Sequence, residues 1–189
     1  LGIRWQRLHD LFDRDGSVRW IDVEPEEGTF VFQDAGIDRY RSHGFNLIGT
    51  LFTTPEWALR HPDDVKQGWA NHLPDVEKWR RYVFETVAHF KGRISYWEVW
   101  NEPFSSSWWS DTPENYFVLL KSAWEAAKEA DPDCRIVGGC LAPLDYASTR
   151  SFMNRLFASG GLDYMDVLSI HANQGGAAAS GPAMSEENM

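Results

Sequence analysis

Glu102 closes the apolar run Ile94-Ser95-Tyr96-Trp97-Glu98-Val99-Trp100 and is preceded by Asn101 and followed by Pro103. With Trp97, Trp100, Trp108 and Trp109 close by in sequence, its carboxyl is expected to be partly desolvated. Desolvation disfavours the charged form and raises a carboxyl pKa, which suits a general acid working near neutrality. Asn101 brings an amide that can hydrogen-bond a hydroxyl group of a bound molecule. Taken alone, Asn-Glu-Pro reads better as a turn in which Glu102 caps the next segment. The wider distribution of polar residues changes that balance. Arg7, His9 and Asp10, then Thr53, Thr54 and Trp57, then Asn101 and Glu102, then Asp145, then His171 each follow an apolar stretch of strand length.

Those stretches define the elements that must carry the chemistry. Five strands are expected at 3–9, 45–51, 94–100, 134–139 and 165–171. Helices alternate with them. Asp34 is expected to cap a helix that reaches His43 and stops at Gly44. Over 75–91, Val76, Trp79, Val83, Val87 and Phe90 recur at helical spacing and predict one buried face. Thr112-Pro113-Glu114 starts a further helix, with Thr112 as N-cap and Pro113 in the first turn. Its apolar face runs Phe117, Leu120, Trp124, Ala127. Residues 149–159 form the last helix, closed by Gly160-Gly161. Regular alternation predicts an α/β fold with a parallel sheet. No Gly-rich phosphate loop follows the first strand, which removes the main reason to choose a dinucleotide-binding sheet over a (β/α)8 TIM barrel. In such a barrel, active sites sit at the C-terminal ends of the strands, where the polar residues above collect.

Composition narrows the partners. The net charge is −10, with no basic stripe to neutralise phosphates, so nucleic acid and anionic membrane surfaces are disfavoured. A neutral sugar meets no such penalty. Ten Trp in 189 residues exceeds ordinary usage, and indole faces stack well on the C–H faces of sugar rings. Cys134 and Cys140, six residues apart along one strand, would lie roughly 20 Å apart, beyond disulfide reach. They read as buried thiols. Asp13-Arg14-Asp15-Gly16 lacks the ligand spacing of a calcium loop. His43, His61, His72 and His89 show no metal-ligand spacing and read as surface or packing residues. No metal and no cofactor is implied, and the sequence leaves localisation open.

Tyr96-Trp97-Glu98-Val99-Trp100-Asn101-Glu102-Pro103 resembles the strand-four motif of the clan of (β/α)8 retaining glycoside hydrolases. Arg7-Leu8-His9 resembles the strand-two Arg-x-His of family 39, the β-xylosidase and α-iduronidase group. Trp109 with Thr112-Pro113-Glu114-Asn115-Tyr116-Phe117 is similar to that family's loop and helix after strand four, and Ile170-His171 to its strand-six Thr-His. The resemblance implies that Glu102 is the catalytic acid/base and Asn101 the partner of the sugar 2-hydroxyl. It implies that Arg7, His9 and His171 line the subsite for the non-reducing sugar, with Trp57 and Trp109 as stacking walls. Asn173 departs from the aromatic that relatives often place two residues after the strand-six His. Glu98 is not expected to be the second catalytic carboxylate: four residues of strand separate it from Glu102 by about 13 Å, against about 5–5.5 Å in retaining and 6.5–9.5 Å in inverting enzymes. It is expected to face the barrel interior and pair with Arg4 or Arg7.

The five strands match barrel strands two to six, so residues 1–189 are expected to form a single incomplete TIM-barrel domain without strands one, seven and eight. A complete barrel takes about 250 residues. The clan's nucleophile is a Glu on strand seven. Glu186 and Glu187 follow a run of small residues instead of an apolar strand and are rejected for that role. The reading is therefore hydrolysis of O-glycosidic bonds with retention, on β-linked xylosides or related glycans, by a chain that lacks its own nucleophile. Alternatives are a clan member acting on β-glucan or another polysaccharide, a non-catalytic carbohydrate-binding barrel, and an open half-barrel that assembles with a partner.

Overall fold

The computed structural model describes residues 2–9, 16–60, 65–66, 69–70, 72–142 and 146–171. Asp10, Asp13, Arg14, Asp15, His61, Asp145, Asn173, Glu186 and Glu187 lie outside the described residues.

Five parallel strands form one sheet: β1 (Trp5–Leu8), β2 (Asn46–Leu51), β3 (Tyr96–Val99), β4 (Arg135–Leu141) and β5 (Val167–Ile170). Their order in space is their order in sequence, and every neighbouring pair is parallel. Parallel neighbours need right-handed crossovers, and an order that never reverses keeps all those crossovers on one side of the sheet. The sheet is thus the wall of a barrel over five of its strands. All five strands expected from sequence are present, each shorter or shifted by a few residues at its ends. A short antiparallel ladder, Val65–Lys66 with Trp69–Ala70, was not anticipated.

The helices are α1 (Trp20–Val23), α2 (Asp34–Ser42), α3 (Val76–His89), α4 (Pro113–Ala130) and α5 (Ala147–Ala158). Asp75 caps α3, its carboxylate accepting from the amides of Glu77 and Lys78, and Thr112 caps α4 through the Asn115 amide. The expected cap by Asp34 is not made. Gln33 holds the cap position and Asp34 opens the helix, because its carboxylate is drawn instead to His89 and Arg93 of the α3 end. His89 is a packing residue, stacked on Phe32 at 3.8 Å. Among the described residues, no helix is long and apolar enough to cross a membrane.

The core lies between the outer face of the sheet and the helices. Trp97, Val99, Leu47, Leu51 and Ile136 meet Trp79, Tyr82, Val83 and Leu119 there, all buried. Trp97 lies so close over Gly49 that a Cβ at that position would stand 2.5 Å from its ring. The inner face is polar at its centre: Arg7 of β1, Thr50 of β2 and Glu98 of β3 meet one another. The two outer strands carry exposed apolar side chains, Trp5 on β1 and Val167, Leu168 and Ile170 on β5.

Candidate active site

The strand ends place the functional side chains by breaking regular geometry. Thr53, Trp100, Glu102 and Cys140 all have positive φ, at 62°, 69°, 44° and 47°. Side chains rarely adopt that region, and such residues persist only where the surrounding structure holds them. Around Trp100 the chain leaves β3, although the Trp100 amide still donates to Leu51 O at 2.9 Å. The following loop folds on itself, with the Ser105 amide donating to Glu102 O and the Trp100 indole to Trp108 O. On β4 the register shifts between Gly138 and Leu141, a bulge with Gly139 at φ 88°. The bulge aims Cys140 at the barrel mouth. The His171 amide donates to Leu141 O, holding His171 directly above β5.

Arg7, His9, Asn101, Glu102, Trp108 and His171 line one cleft of about 390 Å³ at this end of the barrel wall. Arg7 is its organising cation. Its Nε donates to Glu98 Oε2 at 2.5 Å, and its Nη2 to Asn101 Oδ1 at 2.9 Å and Cys140 Sγ at 3.4 Å. Of the two partners expected for Glu98, Arg7 is the one that reaches it. Arg7 also orients Asn101: with Oδ1 engaged, the amide NH2 is the group left to donate. Glu102 stands with its side chain 24% exposed, and its Oε1 lies 2.9 Å from His171 Nδ1. The other ring nitrogen, Nε2, lies 3.0 Å from Cys140 Sγ. His9 stacks on Phe52 at 4.8 Å and meets Trp108 edge-on at 5.5 Å.

Two titratable groups behind the cleft are pushed upward. Burial raises the Cys140 thiol well above its ordinary range, and the nearby Glu98 charge adds to this while Arg7 opposes it. Burial likewise raises Tyr116, whose hydroxyl donates to Val99 O at 2.9 Å. Glu98, Cys140 and His171 bring three metal-ligating atoms within 4.8 Å of one another. The Arg7 guanidinium already supplies the positive charge between Glu98 and Cys140, so a second cation there would be repelled.

The expected wall tryptophans lie elsewhere. Trp57 packs edge-on against Trp20 at 5.6 Å, near Lys78 and Arg81. Trp109 is buried against Trp100 and Tyr116, its indole donating to Thr112 O. Among the described residues, the tryptophan that lines the cleft is Trp108.

A model of the glycosyl hydrolases of family 39 matches residues 25–189. The chain belongs to glycosyl hydrolase family 39. A β-xylosidase of Geobacillus stearothermophilus is 28% identical over 156 residues, covering 75% of this chain and 31% of that protein. An endo-1,4-β-xylanase A of Phanerodontia chrysosporium is 30% identical over 126 residues, covering 64% of this chain and 30% of that protein. In fold, the chain is similar to the crystal structure of the family 39 enzyme from Xanthomonas axonopodis pv. citri, with a TM-score of 0.66 and 24% identity over 90% of this chain and 35% of that one. The chain thus spans about a third of the length of these relatives.

Sequence reasoning missed that Cys140 lies against Arg7 and His171 behind this cleft, treating it as one of two buried thiols. Both cysteines are indeed buried and free. The signal that sets Cys140 apart was present in Gly138-Gly139, a glycine pair at a strand end that marks a bulge.

Proposed function

We propose that this chain supplies the acid/base half of a retaining glycoside hydrolase site that acts on β-linked xylosides. The observation that carries the reading is the setting of Glu102. Its carboxyl faces a cleft shared with Arg7, His9, Asn101, Trp108 and His171, and among the described residues it is held by His171 through Oε1. The β-xylosidase and xylanase relatives support the substrate class.

In this reading Glu102 gives a proton to the departing sugar oxygen and then takes one from the attacking water. Asn101, its Oδ1 held by Arg7, donates through its amide to the sugar 2-hydroxyl, a bond that strengthens as positive charge develops at the anomeric carbon. Arg7, His9 and His171 bound the sugar subsite, and Trp108 lines the same cleft. The nucleophile is a second carboxylate outside this chain, about 5–5.5 Å from Glu102 in the complete barrel.

The test uses the full-length protein and the substitution Glu102→Gln. For β-xylosides with poor leaving groups, kcat/KM is expected to fall by roughly 10²–10⁴-fold. Aryl xylosides whose leaving group departs unaided are expected to retain most of theirs. Equal rates for the two proteins on the poor leaving groups would remove Glu102 from the mechanism.

A further inference from the structure

Cys140 has no part in the hydrolytic reading, yet the fold spends a bulge and a positive-φ residue to bring its sulfur behind His171. The sulfur sits among donors. Arg7 Nη2 points at it from 3.4 Å, and the Glu102 amide is directed at it as well. Burial keeps the thiol protonated, so an S–H remains to be donated. The nearest acceptor is His171 Nε2 at 3.0 Å. Asn101 Oδ1 is farther, at 3.7 Å, and already accepts from Arg7. The Glu98 carboxylate is a competing acceptor for the thiol, with its Oε2 already engaged by Arg7 and Thr50.

We propose that Cys140 is a positioning residue that fixes the tautomer of His171. Its S–H donates to Nε2, so the ring proton sits on Nδ1 and is donated to Glu102 Oε1. The consequence falls on Glu102. With Oε1 occupied as an acceptor, the acid proton is carried by Oε2, which meets no hydrogen-bond partner among the described residues and can face the leaving group. In the opposite tautomer Nε2 carries the proton, and the bare Nδ1 accepts the acid proton from Oε1. That proton then points at the histidine and away from the sugar. The inference rests on the reading of Glu102 as proton donor. The ionisable groups that face this relay are Arg7 of β1, Glu98 of β3, Tyr116 of α4 and His9 at the cleft wall.

The experiment compares Cys140→Val, Cys140→Ser and Glu102→Gln in the full-length protein. Valine fills the site without a donor; serine restores one. For poor leaving groups, Cys140→Val is expected to lower kcat/KM about tenfold, a fraction of what general acid catalysis is worth. For an activated aryl xyloside it should change kcat/KM less than about threefold, since that step needs little protonation. Cys140→Ser should return the ratio of the two substrates to that of the parent. A packing defect would lower both substrates alike, and that outcome, or no change in either, overturns the proposal. When Glu102→Gln suppresses the poor substrates but Cys140→Val leaves the ratio unmoved, only the relay fails; when Glu102→Gln itself has no effect, the proton-donor reading fails first. A second measurement needs no variant fold at Cys140. Long-range 1H–15N spectra of the histidine-labelled parent, with the His171 signals identified by their loss in His171→Gln, should show the proton on Nδ1. A proton on Nε2 of His171 refutes the relay outright.

Discussion

Arg7 Nε and Glu98 Oε2, 91 residues apart in sequence, lie 2.5 Å apart on the inner face of the sheet. Glu98 is almost fully buried, with 2% of its side chain exposed, whereas Arg7 retains 28%. Arg7 is therefore both the counter-ion of an interior carboxylate and the side chain that turns Asn101 toward the cleft. Structure and site meet in one guanidinium.

Removing Arg7 strands a buried negative charge. Arg7→Ala is expected to destabilise the protein by about 3–5 kcal/mol, the usual cost of breaking a buried pair from one side. The double variant Arg7→Met/Glu98→Leu should recover most of that loss in urea denaturation, while activity stays low because Asn101 loses its orienting partner. A double variant as unstable as Arg7→Ala would show that the cost is not electrostatic.

Gly139 tests the bulge. Its φ is 88°, and an added Cβ would stand 2.7 Å from Leu168 Cδ1 on β5. Gly139→Ala combines backbone strain with overpacking and is expected to cost about 1–3 kcal/mol. Gly28 has a similar φ of 81° but open space around it, so Gly28→Ala isolates the strain alone. Denaturation midpoints should rank Gly139→Ala well below Gly28→Ala. The reverse order would mean that β4 and β5 can separate freely at the bulge.

Asp166 ties the start of β5 to α4 and β4. Partial burial pushes its carboxyl up, but the Ile136 amide at 2.8 Å, Lys128 at 2.9 Å and Arg135 at 3.2 Å together hold it below its ordinary value. The unfolded chain therefore takes up the proton at higher pH than the folded one. The resulting stability is complete above the ordinary carboxyl value and is lost as pH falls through the lowered folded value, from about pH 5 downward. Asp166→Asn should flatten that part of a stability–pH curve. An unchanged acid limb would assign the loss to other carboxylates.

Among the described residues, both outer strands of the sheet lack a neighbour, and exposed Ile3, Trp5, Val167, Leu168 and Ile170 lie along them. Unpaired strand edges with apolar side chains are sites of association. Sedimentation velocity of the isolated polypeptide at several concentrations is expected to show rising mass, and aryl xylosides are expected to go uncleaved. A monomer that turns over substrate would contradict both halves of this expectation.

The sequence alone determined the alternation of elements, the helix over 75–91, the Thr112-capped start of α4 and the identity of the strand ends, because each depends on neighbours within a turn or a strand. Val76 to Phe90 declares a helix face by spacing, and Thr112-Pro113 declares a start. The cluster of polar strand ends around Glu102 was legible for the same reason, since the parallel alternation sends every such end to one rim. Only the tertiary structure decided which side chains meet there. Arg7 rather than Arg4 reaches Glu98, and Trp108 rather than Trp57 or Trp109 faces the cleft. Cys140 joins His171 only because a bulge at Gly139 breaks the two-residue period of β4. These choices turn on positive-φ residues and on the register between strands 30 to 90 residues apart in the chain. No local pattern encodes them; they follow from how the sheet curls once its outer face is buried.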